Sequence, residues 1–179
     1  MASTLQFLTG GRFILGIGAG WREDEYLAYG YDFPKPNVRF RQLDEAISIC
    51  RLMWTDEDPH FEGDFYQIAG AAAPPVLDKT PPVCIGTSGE QIGIPLAARQ
   101  ADIWNTVWRG KRDSLIRKRD IMLRELEKLG RPREDVQFSL TIERALPQNA
   151  SEVDEFGTLL GELIGDGFEH FVLDFGNPE

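Results

Sequence analysis

Residues 82–108 read PVCIGTSGEQIGIPLAARQADIWNTVW, and this stretch decides the fold class. Residues 82–86 are a short apolar run between proline and glycine, which predicts a buried strand. The turn at 87–90 leads into a predicted helix that ends near Gln100. Residues 101–108 predict the next strand. A strand, a helical crossover and a second strand are typical of a parallel α/β sheet.

The same alternation continues downstream. Residues 111–129 predict an amphipathic helix, whose apolar face carries Leu115, Met122, Leu126 and Leu129. Strands are predicted at 136–145 and 168–175. Between them lies a helix for which Ser151, with Asp154 three residues on, is the expected N-cap.

Upstream, residues 12–20 (RFILGIGAG) predict another buried strand, broken by alternate glycines. Residues 22–37 are rich in aromatic residues, proline and glycine and predict a loop. Its acidic residues at 23–25 are interpreted as a solvated surface, or as ion pairs with Arg22 and Arg39.

Four further segments complete the chain. Residues 1–11 predict the end of a helix that glycine terminates. A helix is expected from about Val38 to Trp54, with Asn37 as N-cap. Residues 59–68 predict a β-hairpin around Gly63 and Asp64. Residues 69–82, rich in small residues and proline, are expected to be neither helix nor strand. About five parallel strands would form an open sheet or most of a barrel.

Composition excludes some functions. The net charge of -10 argues against a nucleic-acid partner and disfavours anionic membranes. Cys50 and Cys84 lie in apolar runs and are predicted to be buried free thiols in a reducing compartment. No signal peptide or membrane span is recognised, so a cytoplasmic protein is expected. No metal-binding motif is present.

Two turns carry candidate chemistry. Gly16, Gly18 and Gly20 alternate, so the backbone on one side of the strand end can approach a flat ring or a phosphate. Tight packing is the alternative explanation. Residues 86–89 (GTSG) precede a helix, where free N–H groups and the hydroxyls of Thr87 and Ser88 can bind an anion. Ser88 is alternatively only the helix N-cap, and both roles can hold together.

Isolated polar residues are interpreted as structural. Asp102 and Asn105 lie on a predicted buried strand and need hydrogen-bond partners. His60 and His170 have no serine, cysteine or metal-ligand partner at a recognisable spacing, and both are assigned to structure or surface.

The whole-chain pattern resembles the luciferase-like monooxygenase family, and within it the group that uses the deazaflavin coenzyme F-420. The matching motifs run in order along nearly the whole chain: residues 8–12, 16–21 (GIGAGW), 25–26, 29–30, 33–34, 39–40, 43–46, 53–55, 61–63, 81–82, 85–86, 88–90 and 101–102.

The resemblance implies a (β/α)8 barrel, here partial, forming one domain over 1–179 with an insertion at about 55–80. It implies that coenzyme F-420 or FMN lies across the carboxyl end of the barrel. Gly86, Thr87, Ser88 and Gly89 match the turn that holds the cofactor phosphate. Gly18, Ala19, Gly20 and Trp21 match the strand end that lines the pocket for the cofactor ring.

The sequence departs from the family pattern in three ways. Arg22 stands where many relatives have asparagine, and Thr87 stands where Gly-Gly-Ser is common. The first three βα units are absent, so this is interpreted as a truncated, C-terminal part, and no catalytic residue is named.

Three functions follow as expectations. The first is a flavin- or deazaflavin-dependent oxidoreductase or monooxygenase acting on a small organic substrate. The second is a non-catalytic flavin-binding or oligomerising fragment of such a barrel, and the third is an unrelated sugar-phosphate barrel. Apolar edge strands (FILGIG and HFVLDF) predict that the chain alone is poorly stable or forms a homo-oligomer.

Overall fold

The computed structural model describes residues 1–71 and 77–176, which fall into two compact units, Met1–Cys84 and Ile85–Glu179. The first unit contains six complete elements: α1 (Ala2–Leu8), β1 (Leu15–Ile17), α2 (Glu23–Ala28), α3 (Pro36–Thr55), β2 (His60–Glu62) and β3 (Gln67–Ala69). Strand β4 (Val83–Gly86) crosses the boundary between the units.

The second unit alternates helices and strands, as its sequence pattern predicts. Its elements are α4 (Gly93–Gln100), β5 (Ile103–Val107), α5 (Arg112–Lys128), a 3-10 turn (Arg133–Asp135), β6 (Gln137–Glu143), α6 (Ala150–Gly165) and β7 (His170–Asp174).

The strand order of the main sheet is β1-β4-β5-β6-β7. Strands β5, β6 and β7 are parallel, and their register aligns Asn105 with Ser139 and Ser139 with His170. Strands β2 and β3 form a separate antiparallel pair, with Phe61 opposite Ile68. The predicted α/β class, the five main strands and the inserted hairpin are therefore confirmed.

The core of the second unit is aromatic. Trp104 meets Phe138 edge-on at a centroid distance of 5.1 Å, and Phe168 lies 6.2 Å from Trp104. All three rings are fully buried, and α4 packs against α5, which buries Leu115 and Met122. Each large side chain of this kind stabilises the fold by roughly 1.5–3 kcal/mol.

In the first unit, α3 buries Leu43 and Ile47 and also holds the hairpin. The carboxylate of Glu45 accepts the backbone N–H groups of Asp64, Phe65 and Tyr66 at 2.9–3.0 Å. Desolvation opposes ionisation of Glu45, but these three donors prevail and lower its pKa. The hairpin turn therefore has a side-chain partner in α3.

The predicted loop at 22–37 is wrong in its first part, because Glu23–Ala28 forms helix α2. Three acidic residues in the first turn favour this short helix, since they face the positive end of its dipole. Arg22 forms ion pairs with Asp24 and Glu25, as predicted. The proline-rich segment predicted at 69–82 includes residues 72–76, which lie outside the described residues.

Three predicted helix caps are also wrong. Helix α3 begins at Pro36 rather than after Asn37, because proline fits the first helical position. Helix α6 is capped by Asn149, whose side chain accepts the N–H of Glu152, and not by Ser151. Helix α4 begins at Gly93, so Ser88 lies one turn too early to cap it.

Candidate functional site

The turn after β4 is fixed by the neighbouring strand β5. The N–H of Thr87 donates to the carbonyl of Asn105 at 2.9 Å, and the indole N–H of Trp104 donates to the carbonyl of Thr87 at 3.0 Å. The Ser88 hydroxyl lies 2.7 Å from that of Thr106, which is 1% exposed. The predicted turn at Gly86, Thr87, Ser88 and Gly89 is thus held at three points.

The turn has unused hydrogen-bond donors. Within the described residues, the N–H groups of Ser88, Glu90, Gln91 and Ile92 donate to no protein acceptor. Free N–H groups ahead of a helix can bind an anion. An added Cβ at Gly86 would meet no atom within 4 Å, so the space beside the turn is open.

The charge beside the turn is compensated. Glu90 would repel a bound anion, but Arg117 from α5 donates two hydrogen bonds to its carboxylate, at 2.7 and 3.0 Å. The turn can therefore accept a phosphate without an unpaired carboxylate next to it.

The second predicted site, the strand end at Gly18, Ala19, Gly20 and Trp21, lies in the first unit. Gly18 and Ala19 line an open depression together with Tyr26, Arg39 and Gln42. Trp21 is 84% exposed. The strand end therefore offers a hollow and an exposed aromatic ring, which suit a flat ligand.

A buried arginine holds this strand end. Arg39, 9% exposed, donates from Nε to the carbonyl of Ala19 at 3.2 Å, and its guanidinium lies 3.9 Å from the centre of the Phe33 ring. It also donates to the carbonyl of Pro34. The expected ion pairs between Arg39 and the acids at 23–25 are therefore wrong, because backbone carbonyls and an aromatic ring take its donors.

Gly20 is required by the fold itself. Its φ is +72°, and a Cβ built there would lie 2.3 Å from the hydroxyl of Tyr26. The alternative of tight packing is thus correct at this glycine. At Gly16, by contrast, an added Cβ would meet nothing within 4 Å.

Sequence reasoning missed a row of four polar side chains across β5, β6 and β7. Asn105 donates to the Ser139 hydroxyl at 2.8 Å and accepts from Thr141 at 3.1 Å. The Ser139 hydroxyl in turn lies 2.8 Å from Nδ1 of His170. Each residue stands alone in the sequence, and only the strand register could have brought them together. His60, by contrast, is exposed and lies beside Asp58.

Within residues 1–71 and 77–176, no group of three or more His, Cys, Asp or Glu side chains could hold a metal ion. In the same residues, no helix has the length and apolar character that a membrane crossing needs.

The family described as luciferase-like monooxygenase matches residues 1–155, including both candidate turns. The chain belongs to the luciferase-like monooxygenase family. This membership excludes the unrelated sugar-phosphate barrel. It also agrees with the motifs on which the resemblance was based.

Sequence relatives include two enzymes named F420-dependent glucose-6-phosphate dehydrogenase. The one from Microbacterium testaceum is 31% identical over 142 residues, which are 78% of this chain and 41% of that protein. The one from Amycolatopsis mediterranei is 32% identical over 99 residues, which are 55% of this chain and 28% of that protein. The chain thus spans less than half the length of these relatives.

Solved structures agree on the fold. An F420-dependent secondary alcohol dehydrogenase in complex with an F420-acetone adduct matches with a TM-score of 0.73 at 22% identity, covering 97% of this chain and 53% of that one. The monooxygenase RslO1 from Streptomyces bottropensis matches with a TM-score of 0.68 at 20% identity, covering 89% and 49%. The predicted partial (β/α)8 barrel of a luciferase-like protein is confirmed.

Proposed function

We propose that this luciferase-like chain is the phosphate-holding part of an oxidoreductase that uses coenzyme F-420 or FMN. The complete enzyme would transfer hydride to or from a small organic substrate, or oxygenate it. The cofactor would supply the redox chemistry, and the protein would supply binding, orientation and electrostatics.

The single observation that carries the proposal is the turn at 86–90. Both candidate cofactors bear a phosphate group, and this turn combines unused N–H groups with a hydroxyl at Ser88 and open space at Gly86. The overall charge of -10 gives no general attraction for anions. Binding would therefore rest on local donors.

The strand end supports the same proposal. A ring system can lie in the depression that Gly18 and Ala19 line, where Gly18 contributes no side chain. The carbonyl of Ala19 already accepts hydrogen bonds from Arg39 and Tyr26, so a bound ring would make van der Waals contacts there and no hydrogen bond to this carbonyl.

The names of the relatives favour a deazaflavin but differ in substrate. Glucose 6-phosphate occurs in the names of the sequence relatives, and a secondary alcohol in that of a structural neighbour. The proposal therefore extends to a cofactor class and not to one substrate.

Titration of the purified chain with F-420 and with FMN, followed by cofactor fluorescence, tests the proposal. Saturable binding that inorganic phosphate competes away is the expected result. Riboflavin, which lacks the phosphate of FMN, serves as the matched control and should bind at least about tenfold more weakly, since a charged hydrogen-bonded group contributes about 1.5–3 kcal/mol. Equal affinity for FMN and riboflavin, or no binding of either cofactor, would contradict the proposal.

A second candidate function is a non-catalytic fragment that binds cofactor or associates with a second copy of itself. Strand β7 pairs only with β6 among the described strands, and it exposes Val172 and Leu173, followed by Phe175. An apolar edge with unpaired backbone groups favours pairing with another chain. Light scattering after size-exclusion chromatography tests this: a dimer that Val172→Lys dissociates supports it, and a compact, folded monomer overturns it.

We also propose a cytoplasmic location. Cys50 and Cys84 are free thiols, and burial raises the pKa of each, which keeps both protonated and unreactive. Free thiols of this kind are typical of reducing compartments. Fractionation of cells that express the tagged protein would test the location.

A further inference from the structure

The polar row on β5, β6 and β7 has no role in the phosphate turn, yet each of its side chains is hydrogen-bonded to the next. The parallel register places Asn105 beside Ser139 and Ser139 beside His170, so these side chains share one face of the sheet. Thr141 stands two residues beyond Ser139 on the same face.

The opposite face of the same strands is mostly apolar, and the buried Thr106 hydroxyl is an exception. Trp104, Phe138, Leu140 and Ile142 alternate with the polar row and are at most 1% exposed. Polar groups are costly to bury unless they are hydrogen-bonded, and the row meets this requirement through its own hydrogen bonds. Within the described residues, Nε2 of His170 is left to donate to a ligand.

The hydrogen bonds in the row run in one direction. The Thr141 hydroxyl donates to Oδ1 of Asn105, which orients the amide so that its Nδ2 donates to Ser139. Ser139 is 0% exposed, and among the described residues its hydroxyl proton has only Nδ1 of His170 as acceptor. Nδ1 is then unprotonated, and neutral His170 carries its proton on Nε2.

We propose that Thr141, Asn105 and Ser139 are positioning residues that select the Nε2–H tautomer of the His170 imidazole, and that this N–H donates to an oxygen atom of the bound cofactor. Within the described residues Nε2 makes no hydrogen bond, and the half-buried ring is accessible. The part concerning the cofactor rests on the function proposed above, whereas the tautomer does not.

Nitrogen-15 NMR at pH 8 tests the tautomer without any cofactor. The chain has two histidines, so exposed His60 is an internal control. His170 is expected as the Nε2–H form, and Ser139→Ala should turn its signal into that of a tautomer mixture while leaving His60 unchanged. An Nδ1–H form of His170 in the natural chain would overturn the proposal, since it requires the hydrogen bonds to run the other way.

Binding measurements test the ligand. FMN should shift the His170 resonance, and His170→Leu should weaken FMN binding about tenfold, as expected for one hydrogen bond in a desolvated site. His170→Gln, which keeps an N–H donor, should weaken it less, and His60→Gln should change nothing. Riboflavin and inorganic phosphate distinguish which oxygen accepts the hydrogen bond from Nε2. A shift of the His170 resonance with riboflavin assigns a ring carbonyl, and a shift with phosphate assigns the phosphate group.

The two proposals fail in different ways. If neither F-420 nor FMN binds, the proposed function fails, and the ligand part of this proposal fails with it. If FMN binds and the His170 resonance does not move, the proposed function stands and the role of His170 is overturned.

Discussion

Gly20 lies just beyond the short strand β1 and Gly86 is the last residue of β4, but the spaces beside the two glycines differ. At Gly20 the space is filled by the Tyr26 ring, and the positive φ itself excludes most residues. At Gly86 the space is empty, and φ is not positive. One glycine thus serves the fold of its own unit, whereas the other leaves room for something outside the chain.

Gly20→Ala should have the largest effect on stability. The left-handed backbone conformation and a Cβ within 2.3 Å of Tyr26 together predict a loss of about 2–4 kcal/mol in the free energy of unfolding. Chemical denaturation measures it. Adding Tyr26→Ala should recover part of the loss, and a double variant no more stable than Gly20→Ala would show that the contact with Tyr26 is unimportant.

Gly86→Ala should give the opposite result. Because the new Cβ meets no atom, the free energy of unfolding should change by less than about 0.5 kcal/mol. Cofactor affinity, measured by fluorescence titration, should fall by about tenfold or more, since the methyl group fills space that a phosphate needs. Unchanged affinity would mean that the ligand does not approach this glycine.

Ser88→Ala should combine both effects at a smaller scale. It removes the partner of the buried Thr106 hydroxyl, so about 1 kcal/mol of stability is lost, and FMN affinity should fall several-fold. Thr106→Val is the matched control, because it removes the same hydrogen bond but leaves the Ser88 hydroxyl in the turn. Equal losses of affinity in the two variants would mean that Ser88 acts only through Thr106.

The smallest effect concerns pH. Hydrogen bonds from Arg112, together with its charge, outweigh desolvation and lower the pKa of Asp166 in the second unit. A lowered pKa in the folded state stabilises above the ordinary carboxyl value of about 4, and this stability is lost as the pH falls through the folded value. The natural chain should therefore lose stability more steeply below pH 4 than Asp166→Asn.

Around Gly20, Arg39 donates to backbone carbonyls and not to a carboxylate. A variant at Gly20 should keep the acid dependence of the natural chain. Acid-denaturation curves of the natural chain and of Gly20→Ala, recorded by circular dichroism, should therefore have the same slope below pH 4. Such parallel curves would confirm that the region around Asp166, and not the region around Gly20, sets this acid dependence.

Periodicity was sufficient to predict the alternating half of the fold. The apolar spacing of Leu115, Met122 and Leu126 located α5 to within one residue at each end, because burial of one face sets that spacing. Short elements were harder. Helix α2 was missed because it buries no side chain, so no apolar pattern marks Glu23–Ala28.

The candidate site was predictable only where it is local. Residues 86–89 are contiguous, and the sequence predicts their turn directly. The pairing of Asn105 with Ser139 and His170 depends on strand register, which a single sequence does not specify. Similarly, Arg39 was assigned to nearby acids because its true partners, two carbonyls and the Phe33 ring, are set by chain folding.

The unequal exposure of the tryptophans has an optical consequence. Trp21 is 84% exposed at the strand end, whereas Trp54 and Trp104 are at most 3% exposed in the cores of their units. Acrylamide should quench the red-shifted emission of Trp21 first and leave the blue-shifted emission of the buried indoles. The fourth tryptophan, Trp108, is intermediate in exposure. Trp21 can therefore report ligand at the strand end, and Trp54 and Trp104 can report unfolding, without an added label.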